Sequence, residues 1–296
     1  MRSAPLGVRV ERVSSKKDLE EFIRFPIDLF SDSPFYVPHL IVERREFFNP
    51  RKNPFFEHAD AVFLLARDEA GRVVGRMTAH VDWNFVRFHG EKTGFFGFFD
   101  AVDDPGVARL LFEAGESFLR EKGMTRVIGP MNFNTNGEVG VLVRGFEGIP
   151  FFMMPYNFPY YSTLLESCGY VKEKDLYAYY TTYPGYTPEI LRKISDKARR
   201  GGQVTVRPVD MRNFRRELEM VKAVYNSAWE RNWGFVPMTD AELEYMAKNL
   251  KPLIDPEMAL FAFVRDEPAG FFLSLPDYNL IIKDLKGSLF PTGIFR

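Results

Sequence analysis

Gly94-Phe95-Phe96-Gly97-Phe98-Phe99-Asp100-Ala101-Val102 runs straight into Asp103-Asp104-Pro105-Gly106, and this junction decides the fold class. The first nine residues, aromatic and small, suit a buried strand. The turn after them is helix-start chemistry, because a carboxylate caps free N–H groups and proline suits the first helical position. Val107, Leu110, Leu111, Ala114 and Phe118 then recur at helical spacing until Gly123, which stops the helix. Arg126 to Gly129 follows as the next strand. The chain reads as α/β (α+β), a mixed central sheet flanked by helices.

Upstream, Val8, Val10 and Val13 open a strand, and Ser15 to Asp18 is a capping box that starts a helix with Leu19, Phe22 and Ile23 on one face. A second amphipathic piece follows Pro38. Ala61 to Arg67 and Arg72 to Val81 read as a β-hairpin turning at Asp68-Glu69-Ala70-Gly71. Downstream, an Asn- and Gly-rich loop extends to Asn157, Tyr160 to Cys168 reads as a helix ended by Gly169, and Val171 to Thr182 as a long strand. Pro184, Gly185 and Pro188 mark a linker into a basic helix, Ile190 to Arg200. A new strand follows at Val204 and Val206, then a helix from Asn213 to Trp229, a capping box at Thr239 to Glu242 and a hairpin from Met258 to Leu275. The expected domains are 1–183, a linker and basic helix at 184–202, and 203–296.

Composition narrows the function classes. Of 296 residues, 39 are Lys or Arg and 40 Asp or Glu, a net charge of -1, which argues against a nucleic-acid partner. The hydrophobic share of 46% describes a folded chain. Thirty Phe point to cores or a cleft built from rings. One cysteine, Cys168, excludes an intrachain disulfide and fits a small buried thiol in a reducing, cytoplasmic setting. His39, His58, His80 and His89 have no ligand spacing, so no metal is expected. No apolar run reaches the roughly 18 residues of a membrane span, and no membrane partner is expected. Arg199-Arg200-Gly201-Gly202 follows a helix and precedes a strand, the reverse of a phosphate loop, and reads as a C-terminal cap.

The element order repeats. Val206 lies 196 positions after Val10, and Arg265-Asp266-Glu267 lies 198 after Arg67-Asp68-Glu69. A second copy of equal length would run to about residue 380, with its strand-turn-helix starting near 291. The chain is therefore expected to be a tandem repeat that ends inside its second copy.

Strand, helices, hairpin, strand-turn-helix, strand, helix, strand resembles the acyl-CoA N-acyltransferase (GNAT) fold over about 175 residues. Leu165-Glu166-Ser167-Cys168-Gly169-Tyr170 is similar to that superfamily's helix ending before its last long strand, and Gly71 to Val81 to its hairpin strand. Gly129-Pro130-Met131-Asn132-Phe133-Asn134-Thr135-Asn136 resembles a segment of a bacterial tandem-acyltransferase group whose members continue beyond position 296. The resemblance implies an acyl-CoA-dependent, in particular acetyl-CoA-dependent, N-acyltransferase acting on an amine of a small molecule or protein. It also implies a donor pyrophosphate cradled at a helix N-terminus behind a Gly-rich turn. Here that turn is Asp103-Asp104-Pro105-Gly106, whose carboxylates repel a pyrophosphate and whose proline lacks an N–H. The superfamily's general-acid Tyr position falls on Leu165. The first copy is expected to keep the fold with a degenerate donor site, and the chain as it stands to bind acetyl-CoA feebly and to be inactive.

Asn132, Asn134, Asn136, Glu138 and Arg144 concentrate amides, a carboxylate and a guanidinium in one loop, and Tyr156, Asn157, Tyr160 and Tyr161 supply apolar walls with hydroxyls. These are the candidate substrate-binding residues, with Glu138 and Asp100 as candidate catalytic carboxylates. Asx turns fixing their own backbone stand as the equal alternative for the loop, and a structural cap for Asp100. A non-catalytic acyltransferase-like module that binds a ligand or partner is the competing function.

Overall fold

In the computed structural model, which describes residues 7–182 and 185–289, β1 (Arg9–Arg12) leads into α1 (Lys16–Leu29) through the capping box at Ser15. Ser15 Oγ accepts the Asp18 N–H at 3.1 Å and Asp18 Oδ2 accepts the Ser15 N–H at 3.0 Å. α2 (Ile41–Phe47) follows, then β2 (Ala59–Arg67), β3 (Val73–Asp82), α3 (Trp83–His89), β4 (Thr93–Ala101), α4 (Pro105–Glu121), β5 (Arg126–Ile128) and α5 (Tyr161–Ser167). The strands form one sheet in the order β1-β2-β3-β4-β5. Every pairing is antiparallel except β4 with β5, which is parallel.

Two cores lie on the two faces of this sheet. Leu64, Ala66, Met77, Ala79, Phe96 and Phe99 meet Val107, Leu111, Phe112 and Leu119 of α4 on one face. Leu65 and Phe98 meet Phe22, Ile23, Ile41, Phe48, Phe55 and Phe133 on the other. Phe96 and Phe98 should share a face in a regular strand. They do not, because Arg76 pairs with Asp100 and Thr78 with Gly97: β4 carries one extra residue there. Phe98 takes a positive φ of 48° at this bulge, and the side-chain phase of β4 flips.

The region 171–182 forms no strand and is exposed, a correction to the long strand expected there. Lys172-Glu173-Lys174-Asp175 sets charge on both sides of an extended chain, so no single face is left to bury.

The chain divides into two compact units, Met1–Lys174 with Asp277–Arg296, and Asp175–Pro276. This differs from the expected 1–183 and 203–296 at both ends, and Tyr183 and Pro184 of the linker lie outside the described residues. The second unit holds α6 (Glu189–Arg200), β6 (Val204–Pro208), α7 (Phe214–Trp229), α8 (Asp240–Leu250), β7 (Ala259–Val264) and β8 (Glu267–Leu273). Its sheet order is β6-β7-β8, and α8 starts at the Thr239–Glu242 capping box. α9 (Asn279–Leu285) belongs to the first unit.

The two sheets pair alike. Val10 faces Ala66 and Val206 faces Ala262, and each hairpin slips register just after that alanine, where Ala66 faces Gly75 and Ala262 faces Gly270. Both β1–β2 and β6–β7 thus match at 196 positions. The turns do not: Asp68 to Arg72 separates β2 from β3, whereas Arg265 and Asp266 alone, both at positive φ, join β7 to β8. Arg67 therefore corresponds to Phe263, and the Arg-Asp-Glu identity at 198 is out of structural register.

Candidate active site

β4 and β5 pair only over Thr93–Phe95 and Arg126–Ile128, after which β5 turns away through Gly129 and Pro130 and β4 continues to Ala101. The loop from Met131 fills the parting. Met131 N–H donates to Phe96 O at 2.8 Å. The Phe98 N–H, turned out of the ladder by the bulge, donates to Asn132 Oδ1 at 2.7 Å. His80 Nε2–H donates to Phe133 O at 3.0 Å. A Cβ on Gly97 would meet Met131 O at 2.1 Å, so only glycine lets the loop lie this close. Phe133, also at positive φ, stacks between Phe47 and Phe55. Strain at Phe98 and Phe133 is held by this surrounding structure, as at sites that must keep a fixed shape.

The loop delivers Glu138. Its carboxylate accepts from Asn132 Nδ2 at 2.8 Å and lies 3.2 Å from His39 Nε2. Burial alone would raise the Glu138 carboxyl, but the His39 ring, the Arg44 charge and the Asn132 amide outweigh it and bring it down to about 2. The His39 side chain is 40% exposed and that of Glu138 22%. An ionised carboxylate set deeper than the imidazole it holds is the geometry of a base with its orienting partner. A second histidine–carboxylate pair, His58 Nδ1 with Asp82 Oδ1 at 2.9 Å, has both side chains buried, and Asp82 also caps α3.

A further polar group joins β3, β4 and α5. Asp100 Oδ2 accepts from Arg76 Nε at 2.8 Å and Oδ1 from the Tyr161 hydroxyl at 3.0 Å. Arg76 also donates to Phe22 O at 2.7 Å. Both Asp100 oxygens are engaged, so its contribution here is to fix β3, β4 and α5 together. Burial, followed by the Asp100 charge, pushes the Tyr161 and Tyr36 hydroxyls up; for Tyr160 burial is again first, followed by Asp103 and Asp100. All three stay protonated near neutrality. Tyr36 stacks on Phe30 at 4.6 Å and sits 6.0 Å from the Tyr156 ring, and the charge of Glu138 also reaches it.

The remaining candidates divide. Tyr156 OH and Ser33 Oγ lie 2.6 Å apart, and Tyr160 OH donates to Ala101 O at the end of β4. Asn134 Oδ1 accepts the Asn136 N–H at 3.0 Å, an Asx turn fixing its own loop. Asn157 is buried and bonds the Leu142 N–H and carbonyl, pinning backbone to backbone. Arg144 is exposed. Sequence reading missed His39, Tyr36 and Arg44. No motif joins residue 39 to residue 138, and only the chain fold brings them together.

α9 closes one side. Asn279 Nδ2 donates to Pro150 O at 2.7 Å, the Phe152 N–H to Asp277 Oδ1 at 3.2 Å, Lys283 Nζ to Pro34 O, and the Ile41 N–H to Gly287 O at 2.9 Å. The segment bearing His39 is held from outside by these contacts.

The start of α4 is occupied. Asp104 is its N-cap, with Oδ1 accepting the Gly106 N–H at 2.7 Å, and Pro105 has no N–H. This end has little left for a pyrophosphate. Among the described residues no three His, Cys, Asp or Glu converge as a metal site, and no helix is long and apolar enough to cross a membrane.

No profile of a described protein family matches the chain. Over 280 residues it is 39% identical to protein YghO of Escherichia coli, spanning 94% of this chain and 71% of that protein. Over 282 residues it is 38% identical to the bacterial ceramide synthase of Caulobacter vibrioides, spanning 95% and 73%. Among solved structures it is similar to a GCN5-related glucosamine N-acetyltransferase region of a fungal multi-domain beta-N-acetylglucosaminidase, at 15% identity and TM-score 0.49 over 89% of this chain and 27% of that one. It is also similar to an acetyl transferase from Pyrococcus furiosus, at 11% identity and TM-score 0.34 over 59% and 99%.

Proposed function

The chain belongs to the same family as YghO and the bacterial ceramide synthase, and on that premise we propose an acyl-CoA-dependent N-acyltransferase whose acceptor is the primary amine of a long-chain amino alcohol. The name of the second relative supports that acceptor, since a ceramide is the amide of such an amine. The observation that carries the reading is the His39–Glu138 pair at the parting of β4 and β5. The amine nitrogen attacks the thioester carbonyl, forming C–N as C–S breaks; His39 takes the ammonium proton and returns it to the departing thiolate. Glu138 orients the imidazole and stabilises its charged form. The rings of Phe30, Tyr36 and Tyr156 offer the apolar wall a long chain needs.

Thiol release from a long-chain acyl-CoA with a long-chain amino alcohol tests this. His39→Ala should lower kcat by about a hundredfold or more with the melting temperature nearly unchanged, and Glu138→Gln should lower it less. Wild-type turnover in His39→Ala would end the proposal. The occupied start of α4 favours a second reading, a non-catalytic module that binds such an amine; amine binding without any thiol release would select it. We infer further that the second unit is a second copy of the first three strands and their helices, supported by the shared register of β1–β2 and β6–β7.

A further inference from the structure

α6 buries none of its side chains. Ile190, Leu191 and Ile194 are 64%, 55% and 58% exposed, and with Ala198 they fall within an arc of about 100° on the helix. Such a stripe is normally the face a helix hides. The charges around it are not random. Lys193 and Lys197 border the stripe on one side, while Arg192, Arg199 and Arg200 share the far face with the two carboxylates, Glu189 and Asp196, and Lys193 pairs with Glu189 at 2.7 Å; five cations against two carboxylates leave the helix net positive. The stretch ahead of α6 adds Tyr177, Tyr179 and Tyr186, all exposed and in the same compact unit.

We propose that α6, with the tyrosines that precede it, is a docking element for an anionic lipid bilayer. The helix lies in the interface, with Ile190, Leu191 and Ile194 at the acyl boundary, Lys193 and Lys197 at headgroup phosphates and the face of Arg192, Glu189 and Asp196 toward water. Tyrosine suits the same depth, since its ring is apolar and its hydroxyl wet. The charge layout selects this occupant. Nucleic acid would use the cations but leave the apolar stripe in water, and a packed protein helix has no need of the positive excess that α6 carries. This is an interfacial helix and not a span. The proposal is independent of the His39–Glu138 reading.

Co-sedimentation of the full chain with vesicles tests it, using phosphatidylcholine alone and phosphatidylcholine with about one-third phosphatidylglycerol. The chain should pellet with the anionic vesicles, release as salt rises, and stay in solution with the neutral ones. Ile190→Ser with Ile194→Ser, and separately Lys193→Glu with Lys197→Glu, should each weaken binding by about tenfold or more. Circular dichroism should confirm that these exposed changes leave the fold intact. Absence of vesicle binding by the unaltered chain overturns the proposal, as does wild-type binding by both variants. Self-association or nucleic-acid binding that the same variants abolish, with no vesicle binding, overturns it in favour of those occupants.

Discussion

His80 is wholly buried, between Phe55, Phe95 and Phe133, with Nε2–H on the Phe133 carbonyl. Burial lowers its pKa from 6.5 to about 4, so the folded protein holds it neutral where the unfolded chain would protonate it. Its contribution is therefore present above pH 6.5 and is lost as pH falls from 6.5 to about 4, a loss on the order of 3 kcal/mol. Urea unfolding at pH 7 and pH 4 should show this difference, and His80→Gln should be less stable at pH 7 with a flatter dependence. An unchanged slope in the variant would place the pH dependence elsewhere. At this scale the sequence was half legible. Clustering amides pointed to the loop that holds Glu138 against His39, yet Asn134 and Asn157 turn out to bond backbone. His39 carries no local signal, because its pairing with Glu138 joins residues about a hundred positions apart that only the fold brings together.

Elements were more legible, because caps and periodicity act within a few residues: both capping boxes, both hairpins and α4 form where their residues dictate. The strand expected over 171–182 fails where charge removes a face to bury. The bulge in β4 was invisible for a different reason, being imposed by the loop that packs on it. Gly97 is where strand and loop touch. Gly97→Ala should push Met131 away and destabilise the protein by about 1–3 kcal/mol, and should lower turnover through displaced Asn132 and Glu138. A variant with unaltered melting temperature and kinetics would show that the loop yields without consequence.

For the whole molecule, the spacing of 196 between Val10 and Val206 was readable and the two strands pair alike, with Ala66 and Ala262, while the shorter second turn sets the Arg-Asp-Glu match at 198 apart from it. The exposed, irregular stretch holding Tyr177, Tyr179 and Tyr180 should be where brief chymotrypsin treatment first cuts. Mass spectrometry should find the earliest nick between about 176 and 187; first cuts within the Phe-rich sheet would contradict the fold described here. α9 carries a last consequence. Lys283 and Gly287, far along the chain, fasten Pro34 and Ile41 of the unit that is made first. During synthesis the ribosome must add roughly a hundred residues between Lys174 and Asp277, a delay on the order of ten seconds. Over that interval the His39 segment emerges without its clamp, so the first unit to appear is completed only after the second has been made.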